Sequence, residues 1–139
     1  MSRREIRIPE LAPPASHYTD AVLAGEFLFI SGMAALDRDG HVLAKGDVVQ
    51  QTRHVMDAIG KVLAKAGGTF ADIVKVTVYL KNIEDRPRIN PVRQEYFGAS
   101  RPASVLVEVS DLFVPGLEVE IDAIAHVPRG RAEGGRRVD

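Results

Sequence analysis

Apolar and polar residues alternate along this chain with two different periods, and the changes of period mark its elements. Glu26 to Gly32 (EFLFISG) is a short aromatic and β-branched run between glycines, which predicts a strand. Arg4 to Ile8 and Ala21 to Leu23 are weaker strand candidates. From Val48 the period lengthens: Val48, Thr52, Val55, Ile59, Val62, Leu63 and Ala66 recur at three- and four-residue steps and form one apolar stripe. Asp47, with Gln50 three residues on, supplies the start of that helix, and Gly67-Gly68 supplies its stop.

Period two returns at Ile73 to Leu80, read as a central strand with Val74, Val76, Val78 and Leu80 on one face and Ile73, Lys75, Thr77 and Tyr79 on the other. Ile89, Val92, Tyr96 and Phe97 predict a second helix ending at Gly98. Proline suits the first helical position with asparagine capping it, so Asn90-Pro91 points to a start there and not near Asp85. Two further strands are expected at Ala103 to Val109 and Glu118 to Val127, joined by a loop holding Pro115-Gly116. In the last strand Val119, Ile121, Ala123 and Ala125 share one face, and Glu118, Glu120, Asp122 and His126 the other. One sheet face is therefore expected to be apolar and one polar. Two helices covering the apolar face make a two-layer α+β sandwich, with the polar face turned to water or to another subunit.

Composition narrows the function more than the fold. The 139 residues suit one core, placed in a single domain over residues 1–127. Residues 128–139 hold three Gly and four Arg with little to bury, and are expected to be a disordered tail. With 18 Lys and Arg against 19 Asp and Glu, no overall field gathers a polyanion, so a nucleic-acid partner is not expected. No apolar stretch reaches the roughly 18 residues of a spanning helix, and the N-terminus has no secretory run, so the expected setting is cytoplasmic, without a membrane. The absence of cysteine removes disulfides, thiol nucleophiles and zinc knuckles. His17, His41, His54 and His126 are scattered without metal-ligand spacing, and no phosphate loop or dinucleotide fingerprint occurs, so neither metal nor cofactor is expected. What remains is the acidic row Glu118, Glu120, Asp122. It is either a solvated face or, if enclosed, a set of carboxyls one of which carries a raised pKa and shuttles a proton.

Ser31-Gly32 after the aromatic strand, Gln51-Thr52 in the first helix, GGTFADIVKVTVYL from Gly67, Asn90 with Tyr96-Phe97, and RPASVLVEVSDLFVPGLEVEIDAIA resemble the Rid family. These are the reactive intermediate deaminases, also called YjgF/YER057c/UK114. The likeness runs from about Pro13 to Val127. It implies a chorismate mutase-like fold with a mixed sheet and two helices on one face. It also implies a homotrimer with small-molecule clefts at the subunit interfaces. In members that are deaminases, water releases ammonia from an enamine or imine and leaves a keto acid. By that resemblance Glu120 corresponds to the carboxylate that activates water and Tyr18 to the cleft tyrosine. Ser31 and Gly32 correspond to the ligand-holding turn, and Asn90 to the helix asparagine.

One departure from the family pattern concerns specificity. The usual Pro-Ala-Arg, whose arginine grips a substrate carboxylate, is here Pro102-Ala103-Ser104. Loss of a bidentate charge-assisted pair costs on the order of 2 to 5 kcal/mol for a carboxylate in an enclosed cleft, a factor of roughly thirty to several thousand in affinity. Leu106, at a position where the family often has cysteine, makes the pocket more apolar. Arg101 and Arg93 are the two arginines near enough in the predicted fold to reach in from another direction. The resemblance thus implies a hydrolytic deaminase of altered specificity, or a non-catalytic small-molecule-binding or regulatory trimer. RNA cleavage, attributed to some members, finds few aromatic stacking partners in this composition.

Overall fold

In the computed structural model, residues 3–128 and residue 130 are described, and the expected tail lies outside them apart from Pro128 and Gly130. Six strands form one mixed sheet: β1 (Arg3–Ile6), β2 (Ala21–Ala24), β3 (Phe27–Ala34), β4 (Ile73–Leu80), β5 (Ala103–Glu108) and β6 (Val119–His126). Their spatial order is β1-β2-β3-β6-β4-β5, with β4 and β5 parallel and every other pair antiparallel. Two helices, α1 (Val48–Lys65) and α2 (Arg86–Phe97), carry the chain from β3 to β4 and from β4 to β5. The last strand then enters between β3 and β4 and completes the sheet. This is the α+β sandwich expected from the sequence. Among the described residues no helix is long and apolar enough to cross a membrane.

The first helix begins and ends where its sequence says. The Asp47 carboxylate accepts the Gln50 amide at 3.0 Å, and Gly67, with φ of 79°, lets the amides of Gly67 and Gly68 return to the carbonyls of Ala64 and Leu63. Its stripe, Val48, Val55, Ile59, Val62 and Leu63, is buried against Leu28, Val76, Val78, Leu80, Ile121 and Ala123 of the sheet, with Ile89 and Val92 of α2 completing the same core. Two polar residues are fully buried with it: Thr52, whose hydroxyl donates to the Val48 carbonyl at 2.8 Å, and Gln51. Its Nε2 donates to the carbonyls of Leu43 at 3.2 Å and Gly116 at 2.9 Å, while its Oε1 accepts the Glu118 amide at 2.8 Å. The amide thus fixes the loop that feeds β6.

Three expectations change. The alternation in β4 slips at a bulge between Ile73 and Lys75, so that Ile73 is buried and Val74 is 45% exposed. The second helix starts at Arg86, not at Asn90: Pro87 takes the early position that proline favours, and Pro91 lies inside the helix. Pro91, the sixth residue of the helix, forgoes the bond its amide would have given the Pro87 carbonyl, and Asn90 is an exposed interior residue and not a cap. Finally, the face away from the helices is mixed. It carries Glu120, Asp122 and Tyr79, but also Phe27, Phe29, Val105 and Val107, each between 38% and 47% exposed. The cause is register: β5 pairs Ser104 with Val76 and Leu106 with Val78, which puts Ser104 and Leu106 on the helix side and Val105 and Val107 outside.

Replacing Gln51 by Ala is expected to lower stability by about 3 kcal/mol, because the Gly116 carbonyl and Glu118 amide lose their buried partner. Urea unfolding at fixed protein concentration measures it.

Candidate functional site

The pairing of β3 with β6 is interrupted beside Glu120. Against β6, Ile30 pairs with Ala123 and Met33 with Ile121, so Ser31-Gly32 form a bulge with one residue too many. Its free groups are taken up by the segment before β2. The Ser31 amide donates to the Asp20 carbonyl at 2.9 Å, and the Ser31 hydroxyl donates to the Thr19 carbonyl at 2.6 Å. That segment is itself pinned, since the buried Asp20 carboxylate accepts from the Ile8 amide and from Arg7 Nη1, each at 2.7 Å.

The bulge places Gly32 beneath Glu120. A β-carbon built on Gly32 would stand 2.9 Å from Cδ of Glu120 and nearer still to its Oε2, so only glycine leaves the carboxylate this position. Glu120 is half-buried, and no described residue donates a hydrogen bond to its side chain. Burial first, and the neighbouring Asp122 second, raise its pKa above the ordinary value of 4.5. Asp122 in turn accepts the Tyr79 hydroxyl at 3.0 Å, and burial first, this bond second, raise the Tyr79 pKa.

Above this carboxylate lies a cavity of about 320 Å³ lined by Ala15, Ser16, Tyr18, Ser31, Gly32, Phe113 and Glu120. A neighbouring groove of about 350 Å³ shares Tyr18, Ser31, Gly32 and Phe113 and runs on to His54 and Lys61 of α1. Tyr18 is 47% exposed, and its hydroxyl oxygen accepts the Ala15 amide at 3.2 Å, leaving its own proton for a ligand. The arrangement is a small, mostly apolar pocket that presents a carboxyl held partly out of water and a hydroxyl. It is suited to holding one water and moving one proton.

Four of the residues singled out from the sequence, Tyr18, Ser31, Gly32 and Glu120, therefore meet. The other three do not join them within one chain. Ser104 and Leu106 lie on the helix side of β5, and Asn90 lies on α2, across the sheet from Glu120. There Ser104 is exposed and accepts from Arg93 Nη2 at 3.0 Å, while Leu106 packs partly buried on the core. Arg101 is exposed. Sequence reasoning missed Phe113, 49% exposed, whose signal was a lone aromatic in the Pro115-Gly116 loop; Asp122, the second influence on Glu120, belongs to the acidic row already singled out. Asp37, Asp39 and His41 bring potential metal-ligand atoms within 4.8 Å of one another, but the Asp37 carboxylate is already used by the turn, accepting the amides of Asp39 and His41.

The family model described as endoribonuclease L-PSP matches residues 9–127. A RutC family protein of Pyrococcus horikoshii is 45% identical over 124 residues, covering 88% of this chain and 98% of that protein. The 3-aminoacrylate deaminase RutC of Acinetobacter baylyi is 38% identical over 125 residues, 89% of this chain and 98% of its own. Among solved structures, the Rid protein YyfA of Yersinia pestis superposes with a TM-score of 0.84 at 33% identity, over 91% of this chain and all of that one.

The raised Glu120 pKa has a sign that can be checked. The folded carboxyl keeps its proton to higher pH than the unfolded one, so its stabilising contribution is complete below the ordinary value and is lost as pH rises through the folded value. Glu120→Gln is therefore expected to be more stable than the wild type near neutral pH, with the difference vanishing below about pH 4. Unfolding curves across pH, beside a carboxyl-carbon NMR titration of Glu120, test both parts.

Proposed function

The chain belongs to the endoribonuclease L-PSP family, which includes the Rid and RutC proteins, and from that premise we propose that it is a hydrolytic deaminase, or closely related hydrolase, of a small reactive enamine or imine. The observation that carries this reading is the Glu120 carboxyl, half-buried over Gly32, without a donor among the described residues, and facing a pocket of metabolite size. The relative named as a 3-aminoacrylate deaminase supports the same chemistry.

Each part of the reaction has a group suited to it. An enamine becomes electrophilic when a proton is added at its β-carbon, and a carboxyl of raised pKa retains such a proton at higher pH than a solvated one. The resulting carboxylate then takes a proton from water as the oxygen attacks the C=N carbon. Glu120 passes that proton to the carbinolamine nitrogen, ammonia departs, and the hydroxyl proton returns to Glu120 as the carbonyl forms. One water is consumed, the C–N bond breaks, and a carbonyl remains. Tyr18 and the backbone at Ser31-Gly32 hold the reacting atoms against Glu120.

The trimer implied by the family belongs to this proposal. The exposed Phe27 and Phe29 on β3, and Val105 and Val107 on β5, are apolar patches on either side of Asp122 and Tyr79, of the kind that pack against other copies. A neighbouring copy also supplies the only route by which Asn90, Ser104 and Leu106 can meet a Glu120 pocket, since they lie across the sheet from their own. Ser104, standing where the family's usual arginine would be, changes how the substrate is held. The cavity over Glu120 has no cationic side chain among its lining residues, and no feature of it favours cleavage of an RNA phosphodiester.

Generating the imine of an α-amino acid in situ and following keto-acid release is the direct test. The wild type is expected to exceed the buffer rate, and Glu120→Ala and Glu120→Gln to lose on the order of 10²- to 10⁴-fold in kcat/KM. Wild-type release no faster than buffer would sink the hydrolase reading, and a monomer by light scattering would remove the shared cleft.

A further inference from the structure

Glu120 does not stand alone on the open face. Asp122 lies two residues on along β6 and projects to the same side, so the two are about 7 Å apart at the backbone. Their surroundings differ. In register, Tyr79 of β4 sits directly opposite Glu120, yet its hydroxyl passes that carboxyl by and donates diagonally to Oδ2 of Asp122 at 3.0 Å. Glu120 receives no such bond from a described residue, and its Oε2 lies instead against the backbone at Gly32.

The other groups around this pair come from four elements. On β6, His126 has its Nε2 on Glu26 at 2.9 Å, and Glu118 stands just ahead of the strand. On β4, Thr77 and Lys75 share the face with Tyr79, and Lys75 makes no ion pair with a described residue. No charged side chain belongs to β3, and the segment before β2 brings Tyr18 to the pocket. Among all these, the charge that opposes ionisation of Glu120 is that of Asp122, acting after burial. Two neighbouring carboxyls in unlike surroundings divide the work of acid and base.

We propose that Asp122, held by the Tyr79 hydroxyl, is a positioning residue of this site, its fixed charge making Glu120 the carboxyl that holds and releases the reacting proton. This rests on the hydrolytic reading of the Glu120 pocket. Asp122 itself touches no substrate: it lies outside the pocket lining and acts through its neighbour. Tyr79 acts one step further back, by holding that charge in one place. The two strands then have separate tasks, β6 carrying both acids and β4 deciding which of them reacts.

Asp122→Asn removes the charge but keeps an oxygen able to accept from Tyr79, so the bond between β4 and β6 is retained. In a carboxyl-carbon NMR titration, the Glu120 midpoint is expected at lower pH in this variant than in the wild type. Tyr79→Phe keeps the charge but releases it, and should broaden the Glu120 titration into a coupled one. Turnover is followed with the imine of an α-amino acid, corrected for the buffer rate at each pH. The limb of the kcat/KM profile governed by Glu120 should move to lower pH in Asp122→Asn, whichever form of the carboxyl acts first. In a Glu120→Gln background, Asp122→Asn should alter the residual rate by no more than about twofold. A Glu120 midpoint unmoved by Asp122→Asn overturns the proposal, as does a larger shift from Lys75→Gln. Equal loss of rate from Asp122→Asn with and without Glu120 also overturns it, and makes the Tyr79 bond a tie between strands alone. A midpoint that falls as expected in a protein without turnover sinks the hydrolase reading alone. Turnover with a pH profile indifferent to Asp122→Asn sinks the positioning role alone.

Discussion

One buried amide sets the position of the strand on which the site is built. Gln51 has almost no access to water, so each of its polar atoms must find a partner inside, and the partners it finds are Leu43, Gly116 and Glu118. Two of these flank the entry to β6. Because side chains alternate along a strand, a slip of one residue there would exchange Ile121 for Glu120 between core and open face. The core interdigitation of Val119, Ile121, Ala123 and Ala125 and the amide bonds agree on a single register, and Glu120 faces its pocket as a consequence.

The same economy governs the bulge. An extra residue in β3 breaks the ladder with β6, and on the other side the Asp20 carbonyl receives the Ser31 amide and the Thr19 carbonyl its hydroxyl. Asp20 is buried and paired with Arg7, so the receiving segment is itself held. This irregularity spans the two residues where a carboxylate approaches the backbone, and glycine at the second makes that approach possible. The site is a defect in the sheet that the segment before β2 holds in place.

Much of this was legible in the sequence, for reasons that differ by element. The boundaries of α1 were readable because its cap and its glycine stop act locally, within a few residues of each end. The two faces of β6 were readable because Ile121 and Ala123 alternate with Glu120 and Asp122 without interruption. Val74 was misassigned because a bulge, not the pattern, decides which way it points. The start of α2 was misplaced because Pro87 and Pro91 both suit a helix N-terminus, and the short 3₁₀ turn at Ile83–Asp85 that leads into Arg86 has no strong signature. The orientation of β5 depended on its parallel register with β4, a long-range fact, so the pairing of Ser104 with Arg93 and its separation from Glu120 could not be read from spacing. The grouping of Tyr18, Ser31, Gly32 and Glu120 came from family likeness and not from periodicity.

The insertion of β6 between β3 and β4 has a bearing on how the protein is made. Its coding stretch is translated last among the strands, so a nascent chain holds two partial sheets, each with an open inner edge, until nearly all of it has left the ribosome. Such edges are templates for pairing with other polypeptides. The vulnerable interval in the life of this molecule is therefore the end of synthesis, and a message truncated before Val119 yields a product with no way to seal its centre.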